Sequence, residues 1–409
     1  MIRRRHVYHL AGYDPIDAEG QYRRFRRQLE VFRRTWNVNA SIDAIERSSS
    51  PPTARWAVNA KAANWNIDAV HEVWMWDDLV RGDFTRALPV RLYKAVITYL
   101  DFILTGTMFR YVMANQRYAI FFLFPILAVV LFATAGWFVG RWVTAALGLG
   151  GIGATAVGIL CGLVVFLALL RWPGRRWRVE LLLDDWIYAR DYLYGRRPDI
   201  DARLDQFADA LLARVRAGGV DEVVVVGHSL GAMFAVDVIV RALTREPRFA
   251  RCGVSVCLLT IGATIPKFAL HPRAQRIRAM TARAAAEPLV AWAEYQSRGD
   301  AISFYRFDPV ALKRIPGDRL DGRPVIRRVH IHDMITPESF ARCRFNVLLL
   351  HYRSVMANDR RAAYDYYMMT CGPIAFADWT TAQSGFLDFI AADGSLANKA
   401  PARAAASAS

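Results

Sequence analysis

Between Asp101 and Glu180 the chain has no acidic side chain. Cysteine is also thin. Cys161, Cys252, Cys257, Cys343 and Cys371 are widely scattered with no C-x-x-C pair, which argues against a zinc site or a disulfide framework and fits a reducing compartment. Lysine is scarce, so the net charge of +16 (53 basic against 37 acidic residues) is carried mostly by arginine. Such an excess suits nucleic acid, an anionic membrane face or a high-GC genome. Much of it flanks apolar segments or lies on a basic helix at 21–34 with no stacking motif beside it, so a nucleic-acid partner is not expected. No long internal repeat is present. A hydrophobic content of 54% over 409 residues excludes a disordered chain and suffices for one large core or two modest ones.

The stretch free of acid contains two long apolar runs. "AIFFLFPILAVVLFATAGWFVG", residues 119–140, is uncharged and long enough to cross a bilayer core as a helix. Arg141 and Trp142 separate it from a second run, 143–170, so the two are expected to form a transmembrane hairpin. The hairpin lies too far along the chain to be a secretory signal. Arg110 and Arg117 precede it and Arg171, Arg175, Arg176 and Arg178 follow. The positive-inside rule therefore expects both of its ends, and both chain termini, in the cytoplasm at a bacterial inner membrane. Trp137, Trp142, Trp172 and Trp177 stand where interfacial anchors belong. Gly150, Ala154, Gly158 and Gly162 form a small-residue stripe fit for close helix approach, either by the first helix or by a second copy of the chain.

Around the hairpin, β-rich runs alternate with amphipathic helical ones, the pattern of an α/β protein interrupted by an insertion. A strand ending at Gly12 precedes a basic helix, and a second strand is expected around 69–76. The mixed basic and apolar segment that follows fits a helix in the interface plane and a plain surface helix equally. Beyond the hairpin come a helix within 203–219, a valine strand at 222–226, a helix from Gly231, and strands in "VSVCLLTIGA", "LVAWAEYQS" and "RPVIRRVHIHD". The expected organisation is a first part of an α/β domain (1–84), a juxtamembrane helical segment (85–118), the hairpin (119–170), a second part of the α/β domain (171–395) and a flexible tail (396–409).

The valine strand runs into "GHSLG". G-x-S-x-G arises by chance in roughly one chain in eight of this length, but here it sits between a buried-type strand and an apolar helix. In that context a sharp turn presents a serine at the carboxyl end of a parallel sheet. Gly227-His228-Ser229-Leu230-Gly231 resembles the nucleophile elbow of the α/β-hydrolase superfamily, in the form common among lipase-like serine hydrolases. The resemblance covers 1–80 and about 200–355, with the hairpin as an insertion. It implies a mostly parallel sheet flanked by helices, esterase or lipase-like chemistry without metal or organic cofactor, and the chain order serine, acid, histidine.

On that resemblance the acid is Asp300 in "WAEYQSRGDAIS", preferred to Asp308. The base is His351 in "FNVLLLHYRSVM", with His332, expected at a strand end, as the alternative and His330 a further candidate; His271 precedes the acid and fits poorly. The oxyanion donors are the N–H groups of Leu230 and Tyr13, with Gly12 permitting the close turn, although the HGGG form of some esterases is absent. His6 and His9 are expected to be structural. The implied function is a membrane-anchored serine hydrolase that cleaves carboxylic esters, lipid esters among them, through a Ser-His-Asp triad and an acyl-enzyme. Its expected partners are the lipid bilayer and an ester or acyl substrate. The alternative is a catalytically inactive hydrolase-fold membrane protein with a scaffolding or assembly role.

Overall fold

Among the described residues nine strands make the main sheet: β1 (Arg4–Leu10), β2 (Asn39–Ile42), β3 (Glu46–Ser49), β4 (Pro52–Ala62), β5 (Trp65–Trp74), β6 (Glu222–His228), β7 (Ser255–Ile261), β8 (Val290–Ser297) and β11 (Val325–Val329). The two-residue strands β9 (Phe307–Asp308) and β10 (Lys313–Arg314) pair separately. The helices up to Arg245 are α1 (Ala18–Trp36), α2 (Asp77–Phe84), α3 (Leu88–Leu104), α4 (Thr107–Ala114), α5 (Gln116–Ala146), α6 (Gly151–Arg171), α7 (Pro173–Arg176), α8 (Val179–Leu193), α9 (Pro198–Ala217) and α10 (Gly231–Arg245). This is a computed structural model that describes residues 1–315 and 322–397. The expected tail therefore lies outside the described residues from 398 onward. The chain divides into two units, one of Met1–Val80, Pro198–Leu270 and everything from Ala274, the other of Arg81–Arg197 with His271–Arg273. Residues 171–197, which the sequence pattern assigns to the α/β domain, thus group with the hairpin.

In the first unit the sheet order is β11-β8-β7-β6-β1-β5-β4-β2, with β3 on β4. β5, β1, β6, β7, β8 and β11 run parallel, and β2, β3 and β4 are antiparallel additions at one edge. The fold is α/β with a mostly parallel sheet. Every residue of β6 is buried, as a strand covered on both faces requires. α1 lies on one face with Phe25, Leu29, Phe32 and Trp36 inward, at helical spacing, against Trp56, Ile67 and Tyr367. Asp17 caps its start by accepting from Gly20 N–H at 2.8 Å. α9, α10 and the helix Gln275–Ala286 pack together along the valine strand, and Phe207 of α9 stacks on Trp74 of β5.

Two boundaries differ from the sequence expectation. The stretch 39–62, for which the sequence suggests no strand, forms β2, β3 and β4, because β4 alternates buried and exposed residues against β5 over ten paired positions. "RPVIRRVHIHD" forms a strand only as far as Val329. Its partner β8 ends at Ser297, opposite Val329, so the next residues lose their ladder and His332 falls on a short helix, Ile331–Met334.

A buried ion pair ties a late segment to the sheet. Arg5 Nε donates to Glu222 Oε2 at 2.8 Å across β1 and β6, and its other nitrogens donate to the carbonyls of Gly372 (2.8 Å) and Ile374 (2.6 Å). Glu222 Oε1 accepts from Phe376 N–H at 2.8 Å. All the charge is thereby paired, which is the condition for burying it.

In the second unit α5 and α6 are both long and apolar enough to cross a membrane. α5 continues through Arg141 and Trp142, because a lone charged residue does not break a helix. The turn comes at 147–150, where Gly148 and Gly151 supply positive φ. Of the small-residue stripe, Gly158 and Gly162 face Gly140 and Gly136 of α5 so closely that a Cβ on Gly140 or Gly136 would overlap a backbone carbonyl of α6; Gly150 has open space around it. Within this unit α3 buries a charge beside apolar side chains, Arg91 together with Ala95, Tyr99 and Phe102. Its Arg91 is buried and pairs with Glu180 (2.7 Å) and Asp184 (2.9 Å) of α8, Lys94 pairs with Asp191, and Asp101 accepts from Arg190 and Tyr194. Tyr93, Leu100 and Leu104 point outward, 68%, 50% and 81% exposed, and Phe109 and Met113 of α4 are exposed likewise.

Replacing Arg5 with Met leaves the Glu222 carboxylate buried without a cation. A loss of about 3–5 kcal/mol is expected, read as a lowered thermal midpoint by tryptophan fluorescence. The double change Arg5→Met/Glu222→Met is expected to recover part of it.

Candidate active site

β6 feeds directly into Ser229, whose φ of 59° lies in the left-handed region that non-glycine residues seldom occupy. Its N–H donates to the Ile261 carbonyl at 3.1 Å, and its carbonyl accepts from the N–H groups of Thr264 and Ala232, both at 3.2 Å. The strained conformation is therefore fixed from β7 on one side and α10 on the other. The turn is tight enough that a Cβ on Gly227 would overlap Ala232, and one on Gly231 would overlap the carbonyls of Leu10 and Ala11. The end of β1 therefore abuts the first turn of α10. Gly12 lies against the serine itself, since a Cβ there would stand 2.9 Å from Ser229 Cβ.

Two backbone N–H groups adjoin these residues along the chain, that of Leu230 after the serine and that of Tyr13 after Gly12. Leu230 immediately precedes α10, where amides have no partner inside the helix. Tyr13 follows Gly12 in the β1–α1 loop; its buried ring lies 6.0 Å from that of Trp76, whose indole donates to the Ala11 carbonyl at 3.2 Å.

Asp300 and His351 come together. His351 Nδ1 lies 2.6 Å from Asp300 Oδ2, with both side chains almost wholly buried. Asp300 Oδ1 accepts from Ile302 N–H at 2.9 Å, which fixes the carboxylate. His351 sits on the helix Val347–Arg353, capped by Asn346 accepting from Leu349 N–H. Its Nε2 is buried and has no hydrogen-bond partner. Gly262 connects these groups to the serine: a Cβ on it would lie 3.2 Å from both Asp300 Oδ2 and His351 Cε1, and the 261–264 segment is the one that grips Ser229.

The other candidates lie elsewhere. His332 is exposed and its ring packs 3.9 Å from that of Phe340; His330 is exposed too. Asp308 caps a turn, accepting from Val310 and Ala311 N–H groups. His271 belongs to the second unit. His6 contacts Glu72 at 3.0 Å, and His9 contacts the Tyr366 hydroxyl at 3.0 Å. Among the described residues no group of three or more His, Cys, Asp or Glu is placed to hold a metal ion.

Three participants do not stand out in the sequence. The His228 ring packs 4.5 Å from that of His351 and its Nε2 lies 3.3 Å from the His351 carbonyl. Burial, reinforced by the neighbouring His351, pushes its pKa well down, so it is neutral. Tyr352, next to the histidine, donates to Asp14 Oδ2 at 2.6 Å and so ties the His351 helix to the β1–α1 loop. Gly262, the third, has no motif around it, whereas His228 is the variable residue inside GHSLG.

Comparison with known protein families, curated proteins and solved structures finds no match for the chain.

Below the Asp300 loop, Glu294 of β8 is fully buried, accepting from Gln296 Nε2 and Thr260 Oγ1. Burial raises its carboxyl from 4.5 to about 8. The folded protein holds a proton that the unfolded chain releases, so stability falls as pH rises between those two values. Glu294→Gln removes this dependence. The variant is expected to gain thermal stability over the parent at pH 8 and little at pH 5, measured as melting midpoints across that range.

Proposed function

We propose that the chain is a membrane-tethered serine hydrolase of the α/β-hydrolase kind, acting on carboxylic esters that include lipid esters. The observation that carries this reading is the His351 imidazole, bonded through Nδ1 to a buried carboxylate while Nε2 has no partner, across Gly262 from the segment that grips Ser229. Strand order supports it as well. The serine follows β6, the carboxylate β8 and the imidazole the last strand of the sheet, in the superfamily's chain order, and the strand-to-helix loop beside the serine is β1–α1.

In the proposed reaction His351 Nε2 takes the proton of Ser229 Oγ as that oxygen bonds to the ester carbonyl carbon. Asp300 holds the Nδ1–H and stabilises the imidazolium. The N–H groups of Leu230 and Tyr13 receive the developing oxyanion. Collapse expels the alcohol, which leaves with the proton from Nε2. Water, deprotonated by the same nitrogen, then releases the acid and restores the serine. No step requires a metal or an organic cofactor.

The second unit supports the membrane tether. Beside two helices of spanning length, α3 and α4 leave Tyr93, Leu100, Leu104, Phe109 and Met113 exposed, an arrangement stable where lipid rather than water covers that face. The basic residues at both hairpin ends favour a cytoplasmic hydrolase unit.

Ser229→Ala is expected to abolish labelling by a fluorophosphonate probe and to lower hydrolysis of p-nitrophenyl esters by at least about 10⁴-fold, and Asp300→Asn by about 10³–10⁴-fold. Both proteins should keep the parent melting midpoint. A parent protein that fails to label would favour the inactive scaffold instead. For the tether, a photo-cross-linker at Leu104 is expected to capture phospholipid, and the same probe at the exposed Arg26 of α1 none; absence of lipid adducts at Leu104 would refute lipid cover over α3.

A further inference from the structure

Both ring nitrogens of His71, on β5, are buried and without a hydrogen-bond partner. The residue is 1% exposed, its ring parallel to that of Trp56 at 6.0 Å and 4.5 Å from that of Phe25. Buried polar groups of native proteins rarely lack partners, so this imidazole is placed for something that is not part of the chain.

His71 borders a cavity of about 40 Å³. His9, Trp56 and Tyr366, all buried, form the floor with it, and the half-buried Arg24, Tyr352, Val355 and Met356 form the rim, where the Arg24 guanidinium lies over the Tyr352 ring at 5.2 Å. A single water needs roughly 10–15 Å³. The space takes one or a few heavy atoms and excludes a folded acyl chain.

The chemistry of the floor selects what fits. Burial drives the pKa of His71 well down and that of His9 to about 3, so both rings are neutral. A neutral imidazole has one N–H and one bare nitrogen. A carboxylate meets only the first and an ammonium only the second. A hydroxyl meets either, whichever nitrogen faces the cavity, and its carbon packs on the Trp56 and Tyr366 rings. The rim is shared with the catalytic centre: Tyr352 follows His351 and holds Asp14, two residues beyond Gly12.

We propose that this cavity binds a hydroxyl-bearing group of a polyol or polyol ester, with His71 as its hydrogen-bonding floor. That the hydroxyl belongs to the alcohol side of the ester being cleaved rests on the hydrolase reading above. The binding itself does not.

The test uses full-length Ser229→Ala protein in phosphatidylcholine nanodiscs, where no turnover is needed, titrated by calorimetry with monooleoylglycerol, methyl oleate and free glycerol. Monooleoylglycerol is expected to bind about tenfold more tightly than methyl oleate, and His71→Phe to erase that difference. Glycerol binding that is likewise lost in His71→Phe supports a site for free polyols as well; glycerol failing while monooleoylglycerol binds supports a lipid-borne head group. Equal binding of the two esters, or a preference that survives His71→Phe, overturns the proposal and leaves the cavity to water. Should His71→Phe not fold, the ring ¹⁵N resonances of His71 in the Ser229→Ala protein are expected to shift with monooleoylglycerol and not with methyl oleate, and unshifted resonances overturn the proposal equally. Retained binding in a protein whose parent form resists fluorophosphonate would reject the hydrolase reading and keep the site.

Discussion

The end of β1 and the start of α10 meet with no room for a side chain between them, and the geometry around Ser229 follows from that contact. Gly231 lies directly under the Leu10 and Ala11 carbonyls, and Gly227 against Ala232, so the chain must leave β6 and enter α10 in one sharp step. The residue at the apex is driven to positive φ and is held there by Ile261 and Thr264. The same contact brings Gly12 against the serine and Tyr13 behind it. A looser elbow would separate the β1–α1 loop from the serine and with it one side of the proposed oxyanion site. Strain at one residue is offset here by the burial of all of β6 and most of α10.

Charge is handled in different ways by the two units. In the first, Arg5 and Glu222 are deep, fully hydrogen-bonded and anchored to the backbone of 372–376, so that a late segment is clamped beneath the sheet. In the second, α3 and α8 share several ion pairs while some apolar side chains of α3 face out. These pairs lie beside an aromatic interior of Phe102, Tyr111, Phe122 and Trp186, so the second unit buries charge and apolar surface together and leaves further apolar surface uncovered.

Local features of the sequence foretell the fold where one residue pattern has one physical meaning. The valine run, the glycines around Ser229 and the apolar face of α1 announce their elements because each meets a requirement that lies nearby in the chain. The antiparallel edge strands are not legible in this way, since the alternation of β4 is weak in composition and its meaning depends on β5 across the turn. Arg141 suggests too early a hairpin turn, whereas the left-handed glycines Gly148 and Gly151, further along the chain, make it. At the site, Asp300 and His351 can be named on a resemblance, but their 2.6 Å contact is a property of folding across 51 residues. His332 is the alternative base in sequence; its strand stops at Val329 for want of a partner, and that is visible only in the sheet register. Gly262, Asp14 and Tyr352 carry no motif, and their importance comes from what the fold brings beside them.

β1 pairs on one side with β5, made soon after it, and on the other with β6, where Leu10 lies opposite Gly227. All of α5 and α6 is synthesised between these two events. While the ribosome is producing the apolar hairpin, one edge of β1 has no neighbour and the elbow does not exist. The hairpin is therefore synthesised before the sheet can close. The turn that holds Ser229 forms only after the whole hairpin has been made, an order set by topology alone.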